Sequence, residues 1–314
     1  MLIHHLFYNT WSRELYDDLI INGVGVVNQI GIFSKLCVAV FVFVSGYGLV
    51  KSTPKEVKLK DFYWHRFKKL YLNYWFIWLI FVPVAVFVFG RSLIEAYGDN
   101  SILKTILDLL GVLKIFGISS YNPTWWFYSC IIVLYLLFPF LNKFLLKYPF
   151  VMFSISIAFS LINAIPGISF IPGIIIIMGY MFPFLMGMLM AKLPVQYFKG
   201  IRTRDITLAL LVLSAWRFMN SSPKHLVDGL ICATMALCLY KLPMKNWLGS
   251  VFEVLGQHSM NMFLMHTFIY YFWFRDFIYC SRNSIIIFGL LLTTSFITSV
   301  VLEWIKRKIG FYKL

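Results

Sequence analysis

The chain has 314 residues, of which 60% are hydrophobic and 13% are charged, and its formal net charge is +15. Soluble domains have about 45–50% apolar and about 25% charged residues, so a soluble fold is excluded and lipid must solvate much of the surface. The basic residues lie between apolar stretches, which favours membrane topology over nucleic-acid binding as the origin of the charge.

Nine apolar stretches approach or reach the length of about 20 residues that a helix needs to cross the hydrocarbon core of a bilayer. The sequence therefore predicts an all-α, polytopic membrane helical bundle that forms a single domain over 1–314. The predicted spans are 30–50, 70–89, 125–146, 149–165, 171–191, 205–220, 224–243, 258–274 and 283–304.

The distribution of Lys and Arg predicts the orientation of these spans. Loop 51–69 alone carries seven of the 28 basic residues, and cytoplasmic loops are enriched in Lys and Arg. We therefore expect loop 51–69 and the C-terminus to face the cytoplasm in a multi-pass protein of the plasma (cytoplasmic) membrane. Segment 1–29 then lies outside, and its first residues look like the last turn of a tenth helix, so we expect an N-terminally truncated chain or a start codon assigned too late.

Segment 101–118 is apolar on one side only. This pattern predicts an amphipathic helix on the outer surface or a re-entrant piece rather than a full span. Lys104 and Asp108 are spaced i,i+4 on its polar side, and we expect them to form an ion pair.

Several charged residues lie within or at the ends of spans. Lys35 and Arg217 are near outer ends, where we expect their side chains to extend to the membrane interface. Asp228 is also near an outer end, and we expect it to pair with Lys224 at i,i+4 spacing.

Three histidines are candidates for chemistry, because ionisable groups at membrane depth are costly and commonly functional. His266 lies near the middle of span 258–274, although a buried His is more often a hydrogen-bonded core residue. His4 and His5 are adjacent, so on a helix they point about 100° apart and we expect at most one of them to face a given site.

The basic segment around Arg66, Lys68 and Lys69 has more charge than orientation requires. Such a cluster can bind anionic lipid head groups or the phosphates of a nucleotide-bearing cofactor. The five cysteines form no CxxC pair and four of them lie inside apolar stretches, so we predict neither a disulfide nor a metal site.

Four segments in order resemble motifs of the acyltransferase-3 membrane family, and the resemblance extends over nearly the whole chain. They are Phe41–Gly48 at the end of one span, Arg66–Leu70 at the start of the next, Thr124–Tyr128 leading to Leu137–Pro139, and Leu255–Met260 ahead of Phe263–His266. The resemblance implies a ten-span bundle that acylates sugars of polysaccharides, lipopolysaccharide, peptidoglycan or antibiotics.

The resemblance also implies roles for particular residues. Members of the family have an essential His at the outer end of the first span, and His5 or His4 matches it, whereas the basic partner of that His would precede Met1. Members carry an Arg-x-x-Arg pattern thought to engage acyl-CoA. This chain has Arg66-x-x-Lys69, which keeps the second charge but loses its bidentate fork.

The implied reaction is O-acylation by acyl-CoA, by default acetyl-CoA, which acts as a co-substrate while no cofactor is permanently bound. A neutral His suits the removal of a proton from the sugar hydroxyl. We expect His266 to orient the substrate or the base. We expect polar and aromatic residues of the motifs to donate hydrogen bonds to the carbonyl oxygen and to contact the substrate: Ser45, Tyr47, Asn122, Trp125 and Trp126.

Two other classes of function remain open at this stage. A transporter or flippase of the polysaccharide export type would show internal repeats, and no convincing repeat relates 30–146 to 171–304. A non-catalytic scaffold within a polysaccharide assembly complex is the second alternative. The acceptor sugar, its hydroxyl and the oligomeric state do not follow from the sequence.

Overall fold

The computed structural model describes residues 1–54, 57–165, 172–220, 224–241 and 246–311. Within them the fold is a helical bundle with one small hairpin, in which β1 (Ile20–Ile21) pairs antiparallel with β2 (Val24–Gly25). The α-helices are α1 (Leu2–Phe7), α2 (Val26–Phe33), α3 (Leu36–Ser52), α4 (Leu59–Phe87), α5 (Leu93–Tyr97), α6 (Ser101–Leu109), α7 (Trp126–Phe144), α8 (Pro149–Ile162), α9 (Pro172–Gly179), α10 (Met181–Lys192), α11 (Gln196–Lys199), α12 (Thr203–Met219), α13 (Lys224–Lys241), α14 (Asn246–Thr267), α15 (Arg275–Ile278) and α16 (Ser284–Lys308).

The predicted all-α membrane bundle is confirmed, but the count of nine spans is not. Five helical stretches of the described chain are both long and apolar enough to cross a membrane: Val26–Ser52, Leu59–Phe87, Pro123–Phe144, Gly173–Lys192 and Ser284–Lys308. Helices also form in the other four predicted stretches. The shortest of them, α8, has 14 residues, or about 21 Å of rise, against a hydrocarbon core of about 30 Å.

Large apolar side chains cover much of the outside of the bundle. Phe87 is 85% exposed, Phe150 is 88% exposed and Ile285 is 79% exposed, and all three lie on or at the end of predicted spans. Exposed apolar surface of this extent needs lipid as its solvent. The chain is therefore a multi-pass membrane protein.

Two helices begin earlier in the chain than the sequence predicts. Helix α4 begins at Leu59 rather than near residue 70, so most of the basic loop 51–69 is helical. Residues 59–82 contain neither Gly nor Pro, so nothing in the chain ends the helix there. Helix α14 likewise begins at Asn246 rather than at 258. Residues 171, 242 and 243 of the predicted spans, and Lys55 of the basic loop, lie outside the described residues.

The predicted span 171–191 is interrupted at Tyr180, where α9 ends and α10 begins. Pro183 falls in the first turn of α10, where a helix has no internal partner for an N–H group, so the missing donor of Pro183 costs nothing there. Because of this break, α9 and α10 pack as two separate helices.

Helices α3 and α10 cross closely because each has a glycine at the crossing. A Cβ atom on Gly46 would overlap the Phe184 carbonyl, and one on Gly187 would overlap the Phe43 carbonyl. Helices in a membrane commonly pack through small residues that let their backbones approach closely. Lipid solvates apolar side chains as well as another helix does, so the hydrophobic effect does not drive the helices together. This crossing holds α3 in place.

We expect Gly46→Ala to destabilise the bundle by about 1–3 kcal/mol, the usual cost of overpacking. Gly48→Ala is the matched control on the same helix, because a Cβ there meets no heavy atom of the described residues within 4 Å. Thermal unfolding in detergent measures both. Equal melting temperatures for the two variants would contradict the close crossing.

The expected positions of Arg217 and Asp228 are wrong. Arg217 does not extend to the interface: its Nε donates to Asp228 Oδ1 at 2.7 Å, and the two side chains are 2% and 4% exposed. Asp228 therefore pairs with Arg217 rather than with Lys224. Helices α12 and α13 are consecutive, and their packing brings the end of one beside the start of the other, which i,i+4 reasoning within one helix could not foresee.

Breaking this buried pair should be costly, because a single remaining charge is left without its partner. We expect Asp228→Asn to lower the free energy of unfolding by about 3–5 kcal/mol. The control is Asp205→Asn, which removes the carboxylate of the exposed Arg204–Asp205 pair and should change little. Chemical denaturation in detergent compares them, and similar midpoints would refute a structural role for the buried pair.

Segment 101–118 forms α6 followed by a 3₁₀ turn at Leu113–Phe116, and Ile102, Leu103 and Ile106 are exposed. The amphipathic pattern is present, but the Lys104–Asp108 pair is wrong. Asp108 is fully buried and accepts from Tyr97 Oη at 2.5 Å and from the Tyr121 N–H at 3.0 Å.

Burial raises the pKa of Asp108, although the hydrogen bonds to its carboxylate act in the opposite direction. Lys104 instead donates to the Tyr97 carbonyl at 2.6 Å. The loop that returns through Tyr121 covers the polar side of α6, and this tertiary contact replaces the expected local pair.

Candidate active site

Three histidine rings lie together where α1 meets α14. The ring centroids of His5 and His266 are 4.9 Å apart, and those of His4 and His5 are also 4.9 Å apart. His5 and His266 are separated by almost the whole chain, so only the tertiary structure could bring them together. The grouping of the three predicted candidates is the central feature of the site.

Two of these rings are held by backbone carbonyls. His4 Nδ1 lies 2.8 Å from the Gly31 carbonyl oxygen, and His266 Nδ1 lies 2.8 Å from that of Phe263. A carbonyl only accepts, so each Nδ1 carries a proton and, in a neutral ring, Nε2 is an acceptor. His266 Nε2 is buried and has no partner within the described part of the chain.

His4 and His5 line the same cavity of about 350 Å³, hereafter the histidine cavity, together with Lys35, Trp126 and Thr267. The prediction that at most one of the pair can face a given site is therefore wrong. Side chains that leave a helix 100° apart can both border one space when that space wraps around the helix end.

The aromatic motif at the start of α7 divides into two roles. Asn122 Nδ2 and Trp125 Nε1 both donate to the Leu264 carbonyl, at 3.1 and 2.9 Å, and both side chains are buried. The indole N–H of Trp125 and one N–H of the Asn122 amide are thus occupied, and both side chains hold α14 two residues from His266. Trp126, in contrast, lines the histidine cavity.

Ser45 and Tyr47 lie away from the histidines. Ser45 lies beside the side chain of Tyr135, a residue of the cavity described next. Tyr47 is 41% exposed, with the Lys51 ammonium 5.7 Å from its ring centroid. The structure therefore does not bring either residue beside His5.

The predicted basic cluster lines a second cavity of about 580 Å³, hereafter the basic cavity. Arg66, Lys68 and Lys69 all border it from α4. The other side chains around it come from α4, α7, α14, α16 and the residues after α16: His65, Leu70, Leu72, Asn73, Tyr135, Gln257, Met260, Asn261, Glu303, Lys306 and Phe311.

Lys306 is a buried cation of the basic cavity that the sequence analysis did not select. Its side chain is 2% exposed, and its Nζ donates to Asn73 Oδ1 at 2.5 Å, Asn261 Oδ1 at 2.8 Å and Glu303 Oε1 at 2.8 Å. A carboxylate and a Lys three residues apart at the end of an apolar helix were the available signal, because such charges need partners inside a bundle.

Helix α14 forms a common wall of the two cavities. Gln257 and Asn261 border the basic cavity, whereas Thr267 borders the histidine cavity, with His266 just before it. Ten residues of helix from Gln257 to Thr267 correspond to about 15 Å. The two cavities therefore lie at different depths along one helix.

The end of α14 contains two further features that the sequence did not reveal. Thr267 Oγ1 is buried without a hydrogen-bond partner among the described residues. A π-helical turn, Phe268–Trp273, follows at once and supplies Tyr270 to the histidine cavity. Such turns occur frequently at functional sites.

A family model described as an acyltransferase domain, Acyl_transf_3, matches residues 1–304. The chain belongs to the acyltransferase-3 family. The match confirms the resemblance and favours a membrane acyltransferase over the transporter and scaffold alternatives. No curated protein and no solved structure gives a significant match.

Proposed function

We propose that this membrane acyltransferase moves an acyl group, by default acetyl, from cytoplasmic acyl-CoA to a sugar hydroxyl of an extracytoplasmic polysaccharide or lipid-linked glycan. The observation that carries the proposal is the contact of His5 with His266, 4.9 Å between ring centroids, beside a cavity that is lined by His5 and shares helix α14 with the basic cavity. A proton acceptor and a phosphate-binding surface would then serve the two substrates at different depths along one helix.

The proposal includes the orientation of the chain. Nine spans with the basic segment 51–69 and the C-terminus in the cytoplasm put the basic cavity on the cytoplasmic side of the cell membrane. The histidine cavity then opens toward the outer side. The enrichment of Lys and Arg in and around one set of connections supports this arrangement.

The donor would bind with its phosphates among Arg66, Lys68 and Lys69, which line one cavity. Charge-assisted hydrogen bonds to phosphate are stronger than neutral ones. The acyl end must then extend about 15 Å along α14 to reach His5. Acyl-CoA would act as a co-substrate, with no permanently bound cofactor.

In the proposed reaction the acceptor hydroxyl gives its proton to His5 as its oxygen attacks the thioester carbonyl. The tetrahedral intermediate collapses with cleavage of the carbon–sulfur bond, and the protonated His5 returns the proton to the departing CoA thiolate. The products are the sugar ester and free CoA, so atoms and charge balance.

His5 is the better candidate for the base, because its ring contacts that of His266 and its side chain is less buried than that of His4, which is 5% exposed. The free Nε2 of His266 would orient the His5 ring. We assign donation to the developing oxyanion to the hydroxyl of Thr267, which has no partner among the described residues. The indole N–H of Trp125 and one N–H of Asn122 are already bonded to the Leu264 carbonyl.

We expect His5→Ala to lower the rate of acyl transfer by about 10²–10⁴-fold, the usual contribution of a general base. His258→Gln is the control on α14, since its ring hydrogen-bonds Ser299 outside the histidine cavity, and it should retain most activity. Transfer of radiolabelled acetyl from acetyl-CoA to purified glycan provides the measurement. Full activity in a folded His5 variant would refute the assignment.

The donor assignment makes a separate kinetic prediction. Arg66→Gln should raise the KM for acetyl-CoA about tenfold, since a hydrogen bond to a charged group contributes about 1.5–3 kcal/mol, and kcat should change little. Lys69→Arg should lower KM by restoring a bidentate fork. Lys60→Gln, which removes an exposed charge of the same helix, is the control. An unchanged KM in Arg66→Gln would exclude this cavity as the donor site.

A further inference from the structure

A third cavity adjoins the histidine cavity and has no role in the proposed reaction. It has a volume of about 360 Å³ and shares Lys35, Pro123 and Trp126 with the histidine cavity. We call it the lysine cavity, because Lys114 and Lys224 also line it. A group held here lies next to the site where His5 would accept a proton.

The three lysines come from three separate elements. Lys35 precedes α3, Lys114 lies on the 3₁₀ turn before α7, and Lys224 opens α13. Among the described residues, no hydrogen bond or ion pair engages any of the three ammonium groups. Like charges that converge on one small space repel one another, so the arrangement favours a bound anion between them.

No carboxylate of the described residues balances this charge from the cavity wall. The described residues that line it include neither Asp nor Glu. Asp228, which acts electrostatically on Lys35 and Lys224, is already neutralised by Arg217 at 2.7 Å. The net positive charge of the lysine cavity is therefore available to a ligand.

A buried polar atom in the same cavity also lacks a partner. His225 is 3% exposed, and its Nδ1 makes no hydrogen bond to any described residue. Its ring is fixed against Tyr180 with centroids 4.4 Å apart, and a Cβ on Gly179 would press on it at 2.8 Å. A buried, unpaired nitrogen is costly, and a ligand that enters the cavity can satisfy it.

We infer that the lysine cavity binds an anionic group, a phosphate or a carboxylate, carried by the acceptor of acyl transfer. The anion would be held by Lys35, Lys114 and Lys224 while a hydroxyl of the attached sugar reaches His5. The substrate class is thus a negatively charged glycan or glycosyl phosphate rather than a neutral sugar. This inference rests on the proposed function, because it names the acceptor for that site.

Binding can be measured apart from catalysis. The purified full chain in detergent is titrated by calorimetry with glucose 1-phosphate, glucuronate and glucose, without acyl-CoA. We expect both anionic sugars to bind at least about tenfold more tightly than glucose, and Lys114→Gln and Lys224→Gln each to weaken their binding about tenfold. Lys60→Gln is the control for loss of one charge elsewhere. Lys114→Arg keeps the charge and should keep most of the affinity, which separates loss of charge from misfolding.

The measurements separate the identity of the anion, the existence of the anion site and the proposed function. Preference for glucose 1-phosphate alone identifies a phosphate as the anion, and equal binding of glucuronate extends the site to carboxylates. Equal affinity for glucose, or no effect of either Lys→Gln variant, overturns the inference. Acetyl transfer is measured in parallel. Its absence with intact anion binding refutes the proposed function, and with it the identity of the ligand as the acceptor, but leaves the anion site. Transfer to neutral sugars without anion preference refutes only the anion site.

Discussion

The carbonyl oxygen of Leu264 is the point on which the candidate site depends. It accepts hydrogen bonds from both Asn122 and Trp125, which fixes the depth and rotation of α14 against the loop before α7. Because His266 follows two residues later on the same helix, the same contact aims its ring at His5. The π-helical turn begins at Phe268, the residue whose N–H would ordinarily serve the Leu264 carbonyl in an α-helix.

The bundle separates its surfaces by chemistry. Apolar side chains face lipid, while ionisable groups inside the bundle either pair with one another or border a cavity. The buried Arg217–Asp228 pair illustrates the first case, and the Lys306 network at the basic cavity illustrates the second. The three lysines of the lysine cavity also border a cavity, but unlike Lys306 their ammonium groups have no hydrogen bond or ion pair among the described residues, which is why they point to a ligand.

Sequence reasoning failed where it paired neighbours along one helix. The i,i+4 spacing suggested Lys104 with Asp108 and Lys224 with Asp228, yet both carboxylates bond to residues outside their own helix. In a bundle that excludes water, a buried charge takes the best partner in space rather than the nearest in sequence. The small hairpin, in contrast, follows from a local signal: Asn22 and Gly23 form its turn, and both adopt positive φ, at 50° and 77°.

The sequence by itself determined the membrane class, the helical architecture, the family and the basic cluster around Arg66, because composition, apolar length and motif order depend only on neighbouring residues. The tertiary structure alone decided that His5 meets His266, that Asn122 and Trp125 serve as anchors, and that three lysines share one cavity. Such contacts join distant segments through helix packing, and the free energy of that packing depends on shape, burial and charge in three dimensions.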